Sequence, residues 1–267
     1  MTIFMNRGRL RSCLAIAFAL LTLSGCDKYQ MTKCPSYVVC YISLEDISLR
    51  TVPSSSNCFI IHHGKDYPQK EYGLHSSGTD KEQYDQLCLK HNDLAYNRYR
   101  SILKDMDSES VTYNDLDFTS ISVTADRDID EAHPAGTDLG DIVRFMSWSP
   151  CRYIQSGYSK YYHYDRSDVS EAFDTMMPVY FDDKWFDNET DAACYPVDKL
   201  VKDLTADDLV LLGHDSPGLI GMLYFEKMPD ADRFSIAVSI GTDDGRTLCD
   251  TLTIPEPIDK GIDRSRR

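Results

Sequence analysis

The sequence is short of positive charge and has no early apolar run long enough to span a membrane. Lysine and arginine total 28 against 43 aspartate and glutamate residues, which gives a formal net charge of −15. Phosphate contacts need a positive surface, so this balance excludes nucleic acid as a partner. It also predicts a chain that stays off anionic headgroups unless a lipid holds it there. The apolar run from Cys13 to Leu23 has about eleven residues, whereas a spanning helix needs roughly 20.

The first 26 residues combine a basic start, a short apolar core and small residues before a cysteine. Arg7, Arg9 and Arg11 precede the apolar run, and no acidic residue occurs before Cys26. This order predicts a cleaved secretory signal. The sequence Leu23-Ser24-Gly25-Cys26 resembles a bacterial lipobox, which implies a signal peptide over residues 1–25 and a lipidated, palmitate-type acylated cysteine at position 26.

A lipid with two or more chains anchors a protein stably, where a single chain does not. We therefore predict a lipidated polar tether over residues 26–36 and a membrane contact made through the lipid on Cys26. The predicted location is the bacterial cell envelope, at the outer membrane. Whether the protein faces the cell surface or the periplasm stays open at this point.

The cysteines do not form a Cys-x-x-Cys pair, so neither a zinc ribbon nor a thioredoxin-type motif is indicated. The chain has nine cysteines, of which Cys13 would leave with the signal and Cys26 would carry lipid. The odd remainder predicts either at most three disulfides with at least one free thiol, or a set of buried unpaired cysteines. The segment Gly213–Gly218 contains Ser, His and Asp, but adjacent residues cannot form a catalytic triad.

Strand patterns dominate the rest of the chain. Apolar residues alternate with small or polar ones from Phe234 to Ile240, and Thr242-Asp243-Asp244-Gly245 supplies a hairpin turn before a return strand. These signals predict a β-rich (α+β) fold, an immunoglobulin-like antiparallel β-sandwich with irregular insertions. The predicted single domain covers residues 37–256, and residues 257–267 form a polar tail.

One segment predicts a long helix over about 79–106. Thr79-Asp80-Lys81-Glu82 has the spacing of a capping box. The residues that follow place apolar or long side chains every three or four positions, which is typical of one face of a helix. These residues are Tyr84, Leu87, His91, Leu94, Arg98 and Ile102.

The chain resembles the β-sandwich-rich lipoproteins of Bacteroidales. The residues that carry this resemblance are the lipobox, the segments Thr124–Asp126 and His133–Leu139, and the closing hairpin. The resemblance implies a β-rich envelope lipoprotein. It implies no activity, because those families have none assigned.

An aromatic stretch from Trp148 to Phe186 is interleaved with acidic residues. Aromatic rings stack on the apolar face of a pyranose, and carboxylates bind its hydroxyl groups. The stretch therefore predicts a glycan-binding surface formed by Trp148, Tyr161, Tyr164 and Trp185. The alternative is that these aromatic side chains pack in the core, as such clusters commonly do.

Alternating carboxylates at Asp126, Asp128 and Asp130 predict a calcium loop, because converging oxygen ligands suit Ca²⁺. The loop is not an EF-hand, since its sixth and twelfth positions hold Glu131 and Thr137 instead of Gly and Glu. The alternative is a solvated acidic turn. No cofactor other than Ca²⁺ is expected.

The combination of an anchor with no catalytic signature predicts a non-enzymatic binding or structural role in the envelope. The expected partner is a glycan or an envelope protein. Two alternatives stay open at this stage. One is a glycoside hydrolase with two carboxylates at a set separation. The other is a calcium-stabilised, adhesin-like module.

Overall fold

The computed structural model describes residues 29–53, 55–64, 70–103, 112–161, 163, 165–180, 193–213 and 218–254. Within these ranges the chain is β-rich, with thirteen strands and three α-helices. The strands are β1 (Tyr29–Cys34), β2 (Cys40–Ile42), β3 (Ile47–Val52), β4 (Ser55–His63), β5 (Glu71–Gly73), β6 (Arg98–Leu103), β7 (Thr112–Asn114), β8 (Phe118–Ala125), β9 (Val143–Ser149), β10 (Tyr195–Leu200), β11 (Leu219–Phe225), β12 (Phe234–Thr242) and β13 (Thr247–Ile254). The helices are α1 (Gly78–Lys90), α2 (Cys151–Gln155) and α3 (Glu171–Tyr180).

Two antiparallel sheets pack face to face and enclose the largest core. One sheet has the strand order β10-β9-β11-β4-β3, and the other has the order β13-β12-β8. Every second residue of β12 from Phe234 to Thr242 is buried, so the predicted alternation directs one face of this strand inward. Opposite it, Phe59 and Phe225 of the larger sheet meet edge to face, with ring centres 5.4 Å apart.

The outer face of the five-stranded sheet is covered by α3. Successive side chains of β9 point to opposite faces, so Phe145 enters the main core while Met146 and Trp148 point outward. Phe173 and Met177 of α3 pack on this outer face. Both faces of β9 are therefore buried, which explains why six of its seven residues are buried.

A second, smaller unit is built around tyrosine side chains, and we name it the tyrosine lobe. It consists of β1, β2, β5, β6, β7, α1 and α2. Its three-stranded sheet has the order β5-β2-β7, with β2 and β7 parallel, and β1 pairs with β6 in a separate two-stranded ribbon. The buried tyrosines of the lobe are Tyr37, Tyr41, Tyr84, Tyr113, Tyr153 and Tyr158.

The predicted helix over 79–106 is wrong beyond Lys90. The chain leaves the helix through Asn92, whose φ of 55° is left-handed, and a second left-handed residue, Asn97, has a φ of 52°. Asparagine adopts this conformation more readily than most residues, so both positions interrupt a helix. Residues 98–103 form β6, because pairing with β1 satisfies their backbone hydrogen bonds.

The predicted capping box is also not formed. The helix begins at Gly78 after Ser77, and no side chain caps it there. The predicted tether differs as well, since residues Tyr29–Cys34 form β1. The predicted signal peptide, Cys26 and the polar tail 257–267 lie outside the described residues.

Candidate functional site

The core of the tyrosine lobe is held by edge-to-face ring contacts. The ring centre of Tyr37 lies 5.6 Å from that of Tyr96 and 5.3 Å from that of Tyr153. The Tyr84 hydroxyl donates to the Val38 carbonyl oxygen at 3.0 Å. Buried tyrosines of this kind combine apolar area with a hydroxyl that needs a partner. The lobe thus has a core of packed rings, in which hydroxyls such as that of Tyr84 have hydrogen-bond partners.

A fully buried carboxylate, Asp93, lies at the centre of this network. Its two oxygens accept from the backbone amides of Tyr37 and Val38, at 2.6 and 2.8 Å, and from the Tyr158 hydroxyl at 2.8 Å. Burial raises the pKa of Asp93, and these three donors partly oppose that rise. Asp93 therefore ties the segment before β2 to the residues that follow α2.

Two arginines attach the β1–β6 ribbon to the lobe. The guanidinium carbon of Arg100 lies 4.4 Å from the Tyr37 ring centre and 4.7 Å from that of Tyr96, within cation–π range. Arg100 also donates to the Tyr37 carbonyl oxygen at 2.8 Å. Arg98 donates to the Tyr158 carbonyl oxygen at 3.0 Å and to the Tyr161 hydroxyl.

The lobe is joined to one end of the sandwich by Lys90. Its ammonium lies 2.8 Å from Asp117 Oδ2 and 2.6 Å from Asp243 Oδ2. Asp117 directly precedes β8, and Asp243 lies in the turn between β12 and β13. The backbone amide of Leu211 donates to the second oxygen of Asp117 at 3.3 Å. The last turn of α1 is thereby connected to β8 and to the β12–β13 hairpin of the smaller sheet.

The predicted calcium loop lies at the opposite end of the sandwich. Asp126 follows β8 and accepts from the Ser235 amide at 2.7 Å, whereas Asp128 accepts from the Ala135 amide at 2.7 Å. Because β8 has eight residues at about 3.3 Å each, roughly 26 Å separates this end from Asp117.

Asp130, the third predicted ligand, forms contacts of its own. Its carboxylate contacts His133 Nδ1 at 2.7 Å and Lys227 Nζ at 2.8 Å. Its hydrogen bond with Lys227 and then that with His133 lower its pKa. The three carboxylates thus have separate partners, and the described part of the chain contains no group of three or more His, Cys, Asp or Glu that could hold a metal ion. Calcium binding stays a prediction.

The predicted glycan surface is divided between two parts of the molecule. Trp148 is 3% exposed, and its ring centre lies 5.1 Å from that of Phe173 in the layer under α3. Tyr161 instead borders the tyrosine lobe, where its hydroxyl accepts from Tyr153 at 3.2 Å. Tyr164 and Trp185 lie outside the described residues. Trp148 and Tyr161, the two predicted residues that the structure describes, therefore lie in different parts of the molecule. Glycan binding stays a prediction.

The seven cysteines that the structure describes form no disulfide bonds with one another. Burial raises the pKa of Cys58 to about 12, and those of Cys88 and Cys151 to about 11. A thiol is nucleophilic as its thiolate, so these three are chemically inert near neutral pH. Of the two alternatives that the cysteine count left open, the described residues agree with the one that has no disulfide bonds.

Sequence analysis missed Asp93, Lys90 and the role of Arg100. The sequence does contain a strand pattern around Arg100. Tyr96, Arg98 and Arg100 occupy every second position, which is the spacing of one face of a strand. No comparable signal marks Asp93 or Lys90, because their partners are distant in sequence.

No family model, curated protein or solved structure matches this chain. No helix in the described ranges is long and apolar enough to cross a membrane. The proposals below therefore depend on the residues and contacts of the chain itself.

Proposed function

We propose that this chain is a lipid-anchored protein of the bacterial cell envelope with a non-enzymatic binding or structural role. One observation carries the proposal. The chain begins with basic residues, continues with a short apolar run, and then has the sequence Leu23-Ser24-Gly25-Cys26. Strand β1 begins at Tyr29, three residues after Cys26. A lipid on Cys26 would therefore hold the tyrosine lobe close to the membrane.

A binding or structural role is supported by what three polar side chains of the lobe do. Asp93 holds backbone amides, Lys90 joins α1 to the sandwich, and Arg100 attaches the ribbon. Perturbed pKa values in a cleft are typical of catalytic sites, but ion pairs and hydrogen bonds that stabilise a fold also perturb them. In this molecule each of these groups contacts backbone, rings or charges that hold the fold together.

We further propose that the sandwich is of the immunoglobulin-like class. Its support is the strand order: β3-β4-β11-β9 corresponds to the order A-B-E-D, and β13-β12-β8 corresponds to G-F-C. Strand β10 then extends the first sheet beyond D. In this correspondence, β5, α1, β6 and β7 are an insertion in the B–C connection.

The ion pairs agree with this correspondence. In immunoglobulin-like folds the B–C and F–G loops share one end of the sandwich. Lys90 of the B–C insertion pairs with Asp243 of the F–G turn at 2.6 Å. At the other end, Asp130 of the C–D loop pairs with Lys227 of the E–F loop at 2.8 Å. We propose this acidic end, which lies at the opposite end of the sandwich from the Lys90 connection, as the binding surface.

The test of the anchor is metabolic labelling with an alkyne fatty acid, followed by membrane fractionation. The Cys26→Ala variant is expected to lose both the label and its retention in membranes. Cys13→Ala is the matched control, because it changes a cysteine in the predicted signal and leaves the lipobox intact. Label that persists in Cys26→Ala would contradict the proposal.

The face of the membrane is a separate question, which protease treatment of intact cells addresses. Degradation of the mature domain before lysis indicates the cell surface, and degradation only after lysis indicates the periplasm. The proposed anchor is compatible with both results.

A further inference from the structure

The β1–β6 ribbon has two different faces. Its register places Lys33 opposite Tyr99 and Thr32 opposite Arg100. Residues directly opposite each other share a face, and neighbours along a strand alternate. Arg100 points to the tyrosine core, where it contacts Tyr37. Lys33 and Tyr99, with Met31 two residues before Lys33, therefore form the outward face.

This outward face is unusually apolar for a surface. Met31 is 66% exposed and Tyr99 is 67% exposed, and Lys33 is exposed beside them. Leu89 and Leu94 are the other large apolar side chains that the described ranges leave exposed. All four belong to α1, to the segment between α1 and β6, or to the β1–β6 ribbon.

The ribbon also reverses the charge of the chain locally. Its strands read YQMTKC and RYRSIL, with one lysine, two arginines and no acidic residue. The whole chain, in contrast, has a net charge of −15. Tyrosine is enriched where membranes meet water, and lysine and arginine are attracted to anionic lipids. Both arginines contact the tyrosine core, so the outward face meets these preferences through Tyr99 and Lys33.

We propose that the outward face of the β1–β6 ribbon, formed by Met31, Lys33 and Tyr99, lies on the surface of the membrane that holds the lipid. This inference rests on the proposed lipid anchor at Cys26. Three residues of extended chain span at most about 11 Å, so an acylated Cys26 keeps β1 at the headgroup layer. The contacting face itself does not oppose an anionic surface, because it carries Lys33 and no acidic residue.

The contact would also set the orientation of the molecule. The tyrosine lobe would lie at the membrane, and the sandwich would extend away from it through the Lys90 connection. The acidic loop that begins at Asp126 lies roughly 26 Å farther along the sandwich. It would then face the partner side, away from anionic headgroups that would repel it.

The test is the quenching of a tryptophan by a lipid-borne nitroxide. The full chain, processed and lipidated in a bacterial host, is reconstituted into vesicles of phosphatidylethanolamine and phosphatidylglycerol that contain a phospholipid labelled near its headgroup. Two variants are compared, Tyr99→Trp on the ribbon and Ala132→Trp in the exposed acidic loop. The parent protein supplies the baseline for its two native tryptophans.

We expect the tryptophan introduced by Tyr99→Trp to lose about half or more of its emission, since interfacial side chains lie at the depth of the label. The one introduced by Ala132→Trp should stay at the level of vesicles without label. If Tyr99→Trp alters folding, judged by its near-UV circular dichroism, Met31→Trp places the probe on the same face of the ribbon.

Failure of this inference is distinguishable from failure of the anchor. Equal quenching of the ribbon and loop variants, in protein that floats with the vesicles and carries the fatty-acid label, overturns the ribbon contact and leaves the anchor intact. Protein that neither floats nor carries the label overturns the anchor, and the ribbon contact with it.

Discussion

The ammonium of Lys90 lies 2.6 Å from the carboxylate of Asp243, so the last turn of a helix near the start of the chain is bound to the final hairpin. A second carboxylate, Asp117, completes the arrangement at 2.8 Å. Asp117 is largely buried, so its charge depends on this lysine for compensation. The connection between lobe and sandwich is therefore electrostatic as well as apolar.

Removal of Lys90 should destabilise the protein. In Lys90→Met the carboxylate of Asp117 would be left buried without its cation, which should lower the free energy of unfolding by about 2 kcal/mol. Lys81→Met on the same helix is the matched control, because its side chain is 34% exposed against 33% for Lys90. Lys81 pairs with the exposed Asp85, so its loss should cost less than about 0.5 kcal/mol. Urea unfolding measures both, and equal effects would contradict this reading.

The buried carboxylate of Asp93 should be required for the tyrosine lobe. Asp93→Ala would leave the amides of Tyr37 and Val38 and the Tyr158 hydroxyl without their acceptor, at a cost of about 3 kcal/mol or more. Hydrogen exchange of the two amides should accelerate together with the loss of stability. Asp85→Ala, in an exposed ion pair on α1, serves as the control. Unchanged protection of both amides in Asp93→Ala would refute this role.

The stability of the protein should include a pH-dependent contribution from Asp115. Burial raises its pKa to about 6 in the folded state, above the ordinary value near 3.9. The folded state therefore binds this proton more tightly than the unfolded state does. The resulting contribution of Asp115 to the free energy of unfolding is complete below about pH 4 and is lost as the pH rises through 6. The urea concentration at the unfolding midpoint should therefore rise in the wild type, relative to Asp115→Asn, as the pH falls from 6 to 4.

Asp244 provides a control of opposite sign. Its hydrogen bond with the Thr242 hydroxyl is the main cause that holds its pKa at about 2. Relative to Asp244→Asn, stability should be constant from about pH 7 to 5 and be lost only as the pH falls from about 4 towards 2. A difference between wild type and Asp115→Asn that does not change with pH would exclude the assignment to Asp115.

Thiol reactivity should separate Cys249 from the other cysteines. It is the exposed one among the seven described, whereas burial keeps Cys58, Cys88 and Cys151 protonated. At about pH 8, a maleimide should label a single thiol of the native protein quickly and the others only in denaturant. Cys249→Ser should remove the fast phase. Several fast thiols in the native protein would show that the others are accessible.

The sequence predicted those strands whose signal is local. The alternation from Phe234 to Ile240 and the turn ending in Gly245 are confirmed, since Gly245 has a left-handed φ of 85°. Strand β11, which reads LIGMLYF over Leu219–Phe225, likewise has a local signal, a short apolar run after turn residues. In both cases the periodicity of the side chains and the turn residues lie within a few positions of one another.

The prediction of a long helix was wrong because a helical pattern and the start of a strand follow each other at similar spacing in this segment. Tyr84 and Leu87 repeat at helical spacing, and Arg98 continued that spacing by coincidence. The partner of residues 98–103 is β1, which the sequence places far upstream, so tertiary pairing overrides the local preference. The same distance concealed the contacts of Asp93 and Lys90. A contact between residues far apart in sequence leaves no periodic trace in either segment.

The order of strands in the sandwich has a consequence for the biogenesis of the protein. Strand β3 is held against the last strand, where the Leu49 amide donates to Asp250 at 2.7 Å, and β8 acquires its partner only when β12 is available. Pairing between such distant segments is slow and leaves sheet edges exposed until it is complete. A chain that leaves the ribosome amino end first could therefore complete its larger sheet only once β11 had emerged, and its smaller sheet only with the final hairpin.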